Sequence, residues 1–243
     1  MAEIHPFRGV RYDQSLVNDL SAVICPPYDI ITPQMEQELY LKSEYNFVRL
    51  ESGRELPPDT ITDNKYARSA ATLEQWLNRG ILKVDEAPAI YLHDHYFTYQ
   101  GREYKRRGIV ARVKLEEWDK MVVRPHEGTL AEPKNNRLSL LWALQANTSP
   151  ILALFEDQGQ QVSSLLAAQE PKQPLINSSS VAEKVITCGL SLSLRLLIRY
   201  ALLHLINHSI LPMGIIAMRV PLLTSVKDVS VLHRCRAMRH LIL

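Results

Sequence analysis

Cysteine is scarce in this chain of 243 residues: Cys25, Cys188 and Cys235 lie far apart and form no Cys-x-x-Cys pair. That spacing excludes a disulfide framework and a cysteine-built zinc site, and points to a reducing compartment. Charge of one sign is also lacking. The formal net charge is +2 at pH 7, without the basic excess of a dedicated nucleic-acid binder, so no nucleic-acid partner is expected. The opening MAEIHPFRGVRYD has acid, base and proline where a signal peptide needs an apolar run. A cytoplasmic location is therefore expected. No internal repeat is present.

A further absence is local. Of 26 acidic residues, 25 precede residue 185, and only Asp228 follows it, against seven Lys or Arg. The same stretch is dense in Leu, Ile, Ser and His without clean periodicity. A folded domain rarely changes character so abruptly, so the two parts are read separately.

In the first part, Ser21 to Cys25 reads as a short apolar strand stopped by Pro26 and Pro27, which would point Tyr28 and Asp29 outward. Pro33 opens a short helix through Leu41. Asn46 to Leu50 reads as a strand. Asp63 to Asn78 has a polar start, apolar residues at Tyr66, Ala70, Leu73, Trp76 and Leu77, and Gly80 as a stop, which predicts a helix. Ala89 to Tyr99, a turn at Gln100-Gly101 and a return over Arg107 to Leu115 predict a hairpin. A polar loop over residues 124–137 leads into an apolar helix from Leu138 to about Ala146, then a strand from Pro150 to Phe155. Gln158 to Ser180, rich in Gln, Ser and Pro, reads as a surface segment. Alternating strands and helices indicate a mixed α/β or α+β fold: a mixed sheet with a β-hairpin and flanking helices, incomplete at the C-terminus.

The dense polar cluster is His126-Glu127-Gly128-Thr129, followed by Lys134 and Arg137. These residue types suit phosphate chemistry. Arg137, expected in the first turn of a helix, would add its charge where free N–H groups favour an anion, and Lys134 is a mobile cation. Gly128 lets backbone approach a ligand, Thr129 donates to a phosphate oxygen, and Glu127 or His126 takes a proton. The competing reading is a solvated loop whose charges satisfy one another. His93 and His95 share a strand face but have no visible third metal ligand, so no metal site is expected. Lys105, Arg106 and Arg107 read as a solvated basic run, and Trp76 and Trp118 as packing residues.

Several segments taken in order resemble the bacterial and archaeal family catalogued as domain of unknown function 1015, whose proteins are uncharacterised. They are Pro6-Phe-Arg-Gly-Val-Arg11, Pro26-Pro-Tyr-Asp29, Tyr45-Asn-Phe-Val-Arg-Leu50, Pro125-His-Glu-Gly-Thr129 with Pro133-Lys134 and Arg137-Leu138, and Asn147-Thr-Ser-Pro150. The resemblance covers about residues 5 to 157. One departure is Asn136, where the family more often shows an aspartate. The family normally continues into a strand, Asp-Gly-His-His-Arg-Tyr and a helix. That signature looks like the phosphate-holding Gly-x-His-Arg turn of the ParB and sulfiredoxin superfamily, some members of which phosphorylate free serine. The resemblance implies a nucleotide-dependent phosphotransferase, a small-molecule kinase using ATP or ADP with Mg. A non-catalytic module that binds a phosphorylated ligand is the alternative.

No Asp-Gly-His-His-Arg occurs in the chain. A reading shifted by one base, built from the last base of each codon and the first two of the next, does allow it. Met213-Gly214 forces a glycine codon. Around it, Pro212 to Arg219 permit Asp-Gly-His-His-Arg-Tyr-Glu, and Leu205 to Pro212 permit Asp-Gln-Pro-Phe-Tyr-Ile-Ala. A frame change near residues 180–186 is the expectation. It gives a family-like domain over 1–157, a polar surface segment over 158–184 and a frame-shifted tail over 185–243, with apolar surface left uncovered. A membrane tail competes with it, because Tyr200 to Met218 holds no Asp, Glu, Lys or Arg over nearly the length of a spanning helix. His204, Asn207, His208 and Pro212 interrupt that run, so a membrane partner is not expected.

Overall fold

The computed structural model describes residues 3–57, 59–124, 131–155, 157–168, 175–179, 183–190 and 241–242. The fold is mixed α+β. Its residues fall into two compact units, each discontinuous in sequence: one of Met1–Phe7, Ala87–Thr129 and Ile151–Leu222, the other of Arg8–Glu86, Leu130–Pro150 and Leu223–Leu243. Both draw on the expected 1–157 domain.

The first unit is built on a hairpin. Strands β4 (Ile90–Tyr99) and β5 (Arg102–Val110) pair antiparallel, joined by Gln100 and Gly101 with φ of 49° and 72°. Positive φ at both turn residues matches the twist of the flanking strands, which is why glycine follows glutamine here. The return strand starts earlier than the sequence suggests because Arg102 to Arg106 pair across from Tyr99 to His95. On the other side of β4 lie β9 (Glu183–Leu190) and then β8 (Ile176–Ser179), completing an antiparallel sheet in the order β5-β4-β9-β8. A second small pairing joins β1 (Ile4–His5) to β6 (Arg112–Val113). The Gln158–Ser180 stretch is not simply surface. It carries helix α6 (Gln161–Ala168), whose Val162 and Leu166 are buried against Ile4, Ile90 and Leu92. Asp157 accepts from the backbone N–H groups of Val162 and Ser163, satisfying donors that the start of α6 would otherwise leave orphaned.

Asp94 on β4 is buried. Arg107 on β5 meets it as a fork, Nε to Oδ1 at 2.7 Å and Nη2 to Oδ2 at 2.6 Å, with Lys105 Nζ 2.9 Å from Oδ2. The basic run is thus partly a counter-charge rather than a solvated face. Lys105 and Arg107 alternate along β5, so both fall on the Asp94 side. Among the described residues no group of three His, Cys, Asp or Glu is arranged to hold a metal.

The second unit packs helices over β2 (Val10–Tyr12), which pairs antiparallel with β3 (Leu82–Val84). Helix α2 (Pro33–Lys42) starts at the expected proline, capped by Thr32. Helix α4 (Lys65–Asn78) starts where Asn64 accepts from the N–H groups of Tyr66 and Ala67, and Gly80 follows it with φ of 72°. Leu73 and Trp76 from α4 meet Val10, Val23, Leu50, Leu140 and Leu144 in the core. Strand β7 (Ala146–Asn147) pairs parallel with β10 (Leu241–Ile242).

Two expected strands in this unit are helical. The Ser21–Cys25 segment contains α1 (Leu20–Val23), nucleated by Asp19, which accepts from Ser21 N–H. Asn46 to Leu50 becomes α3 (Val48–Glu51), because Asn46 Oδ1 accepts from Val48 N–H at 3.0 Å and starts a turn. The same buried Asn46 donates through Nδ2 to the carbonyls of Ala22 and Ile24. One side chain therefore fixes both segments against their β propensity. A third correction concerns Pro150 to Phe155, which forms no strand: Ile151, Leu152, Leu154 and Phe155 are exposed and outside any ladder. Finally, α5 spans Ala131–Leu144, beginning seven residues before the expected Leu138 and absorbing Lys134 and Arg137. Among the described residues no helix is long and apolar enough to cross a membrane. The Tyr200–Met218 run and the side chain of Trp118 lie outside the described residues.

Candidate functional site

Of the segments that carry the family resemblance, Pro26–Asp29, Tyr45–Leu50, Pro133–Leu138 and Asn147–Pro150 fall in the second unit. Helix α5 brings Arg137 in its second turn, not its first, so the guanidinium is not at the free N–H groups of the helix start. It turns inward instead. Nη1 donates to Glu51 Oε1 at 2.9 Å, Nη2 to the Glu51 carbonyl at 2.9 Å, and Nη2 and Nε to Asn136 Oδ1 at 2.7 and 3.2 Å. The ring of Tyr28 covers the guanidinium, with Cζ 3.8 Å from the ring centroid. Tyr28 therefore faces Arg137 rather than pointing outward. The neighbouring Pro27 starts a 3-10 turn over Tyr28–Ile30 that swings the ring in.

Glu51 ends α3 and is 3% exposed. Its Oε1 accepts from both Arg137 and the hydroxyl of Ser149, which lies in the Asn147-Thr-Ser-Pro150 segment after β7. Its Oε2 is buried without a hydrogen-bond partner among the described residues. Ser149 itself is exposed. The arrangement is thus a buried carboxylate clamped by one arginine, with the hydroxyl of an exposed serine resting on it. Burial pushes the Tyr28 phenol up, partly offset by Arg137. Burial, with a smaller contribution from the charge of Glu51, pushes the nearby Cys25 thiol up to about 12.

Lys134 stands in the first turn of α5, three residues before Arg137 and therefore beside it on the helix surface. It is half-buried, with no ion pair or hydrogen bond to the described residues. His126, Glu127, Gly128 and Thr129 lie outside the described residues. Of the six residues singled out by sequence, Lys134 and Arg137 are brought together. Glu51, Ser149 and Tyr28 join them as members that residue-type reasoning passed over. Glu51 directly follows the Tyr45–Leu50 segment and Ser149 sits inside Asn147–Pro150. The motif boundaries were therefore the available signal, hidden by reading the first segment as a strand.

A family model described as "Protein of unknown function (DUF1015)" matches residues 4–188. No curated protein and no solved structure matches the chain.

Proposed function

The chain belongs to the DUF1015 family, and from that premise we propose that it serves nucleotide-dependent phosphoryl transfer to a small hydroxylated substrate, free serine being the first candidate. The observation that carries this reading is Lys134: a first-turn cation without a counter-ion among the described residues, one turn from an arginine already held in place. Anionic phosphate suits a helix start with such a lysine, since N–H groups and ammonium act together. In this scheme Lys134 and Arg137 hold the phosphate of ATP or ADP, with Gly128 and Thr129 lining it, and Glu127 or His126 moves the proton. The setting in this scheme is the cytosol.

The reading includes a frame change. Support comes from the run of acids that stops at Glu183 until Asp228, and from the family match ending at residue 188, close to the expected 180–186. The exposed Ile151, Leu152, Leu154 and Phe155 fit apolar surface left uncovered. On this view the chain as it stands has little activity, and the shifted frame restores the Gly-His-His-Arg turn.

The test is a protein carrying the shifted frame after residue 188, incubated with ATP or ADP, Mg and a panel of hydroxylated amino acids, with phosphorylated product followed by NMR. Product that disappears in the E127Q variant is expected. Nucleotide binding without product overturns the transferase. It would favour the second reading, a module that binds a phosphorylated ligand. Resequencing the gene tests the frame, and a stop soon after residue 188 in the shifted frame refutes it.

A further inference from the structure

Ser149 is placed as a nucleophile rather than as a spectator of the Arg137 ion pair. Its hydroxyl donates to Glu51 Oε1, the same oxygen that accepts from Arg137 Nη1 at 2.9 Å. Ser149 is exposed while Glu51 is 3% exposed, so a reagent can approach the serine whose proton points at a base shielded from water. Glu51 Oε2 is buried and unpartnered among the described residues, so the carboxylate keeps an uncommitted oxygen for that proton. Arg137 and Lys134 supply positive charge on one side of α5, within a turn of each other.

We propose that Ser149 is a phosphoryl-acceptor serine, with Glu51 as its base and Arg137 as the cation that receives the phosphoryl group. The proposal rests on the phosphoryl-transfer reading of this chain and adds to it a covalent site that reading does not contain. The donor class is a phosphoric anhydride. Ser149 Oγ bonds to phosphorus, the anhydride P–O bond breaks, and the leaving anion departs with the electron pair, ADP from a nucleoside triphosphate or acetate from acetyl phosphate. The Ser149 proton passes to Glu51. A phosphoryl group on Ser149 then competes with Glu51 for Arg137, since both sit within hydrogen-bonding reach of one carboxylate oxygen, and an arginine fork favours the phosphate. Modification would thereby release Arg137 from its internal pair.

The experiment treats the full chain with acetyl phosphate, with ATP and Mg, and separately with a fluorophosphonate, which labels an activated hydroxyl by losing fluoride and needs no nucleotide site. Adducts are mapped by peptide mass spectrometry. A phosphoryl group and a fluorophosphonate adduct on the Ser149 peptide are expected, absent in S149A, retained in S149T, and formed at least tenfold more slowly in E51Q. Where E51Q melts early, the contrast between S149A and S149T carries the test. Labelling of Ser149 no faster than of other exposed serines overturns the proposal. So does phosphoryl transfer to a small acceptor by the frame-corrected protein with Ser149 unlabelled, an outcome that leaves the proposed function standing. Label on Ser149 with no transfer to any acceptor does the reverse.

Discussion

Tyr28 covers the guanidinium of Arg137, its ring centroid 3.8 Å from Cζ, while Glu51 and Asn136 hold the same group along its edges. Arg137 is thus fixed on three sides. A π face over a partly desolvated arginine contributes about 0.5–2 kcal/mol. Tyr28→Leu is expected to lose about that much in urea denaturation, and Tyr28→Phe much less; equal losses would mean that the phenol oxygen rather than the ring matters.

The Glu51–Arg137 pair is buried on both sides, with side chains 4% and 12% exposed. Removing one partner leaves a buried charge, so Glu51→Ala is expected to cost about 3–5 kcal/mol. Arg137→Met should cost a similar amount, and the double variant clearly less than the sum. Additive losses in a double-mutant cycle would show that the two groups do not act as a pair.

Asn46 starts α3 and ties down the carbonyls of Ala22 and Ile24. Asn46→Ala removes the acceptor that starts the turn and leaves two carbonyls without their amide donor, an expected loss of about 1–3 kcal/mol. Asn46→Asp keeps the acceptor but sets a buried carboxylate against the same two carbonyls, so its melting temperature should fall at least as far.

Asp94 gives an acid-dependent contribution. Burial pushes its carboxyl up, but hydrogen bonds from Arg107 and Lys105 outweigh this and hold it below the ordinary 3.8. A lowered folded-state pKa stabilises above the unfolded value and is lost as pH falls through the folded one. Unfolding measured from pH 5 downward should therefore show an acid limb that is shallower in Asp94→Asn. An unchanged limb would place the acid sensitivity elsewhere.

Cys25 is expected to resist alkylation. With its thiol pushed up to about 12 from an ordinary 9.0, its thiolate at pH 8 is scarcer by about a thousandfold. Iodoacetamide should modify it only after denaturant is added; rapid labelling in the native chain would contradict the burial.

Much of this fold is legible without coordinates where one local signal governs. Thr32-Pro33, Asn64 and Gly80 mark helix ends, and Gln100-Gly101 marks the hairpin. The errors share a cause. Val48 and Leu50 have strand-like side chains, yet the decisive group is Asn46, whose bonds reach 22 and 24 residues back. Likewise Arg137 reads as a phosphate ligand by type. Its donors are claimed by Glu51, which no local pattern connects to it. Lys134 has no such distant partner among the described residues.

The Glu51 cluster also sets an order of events during synthesis. Glu51 is followed by Arg137 only 86 residues later and by Ser149 after 98. At the ribosome's pace of roughly 5–20 residues per second, the first gap lasts about 4–17 s. Throughout that interval the nascent chain carries α3 with its carboxylate unmatched. Neither α3 nor the Tyr28 turn has its final neighbours until α5 emerges, so this unit closes late, around an element that follows the hairpin in sequence.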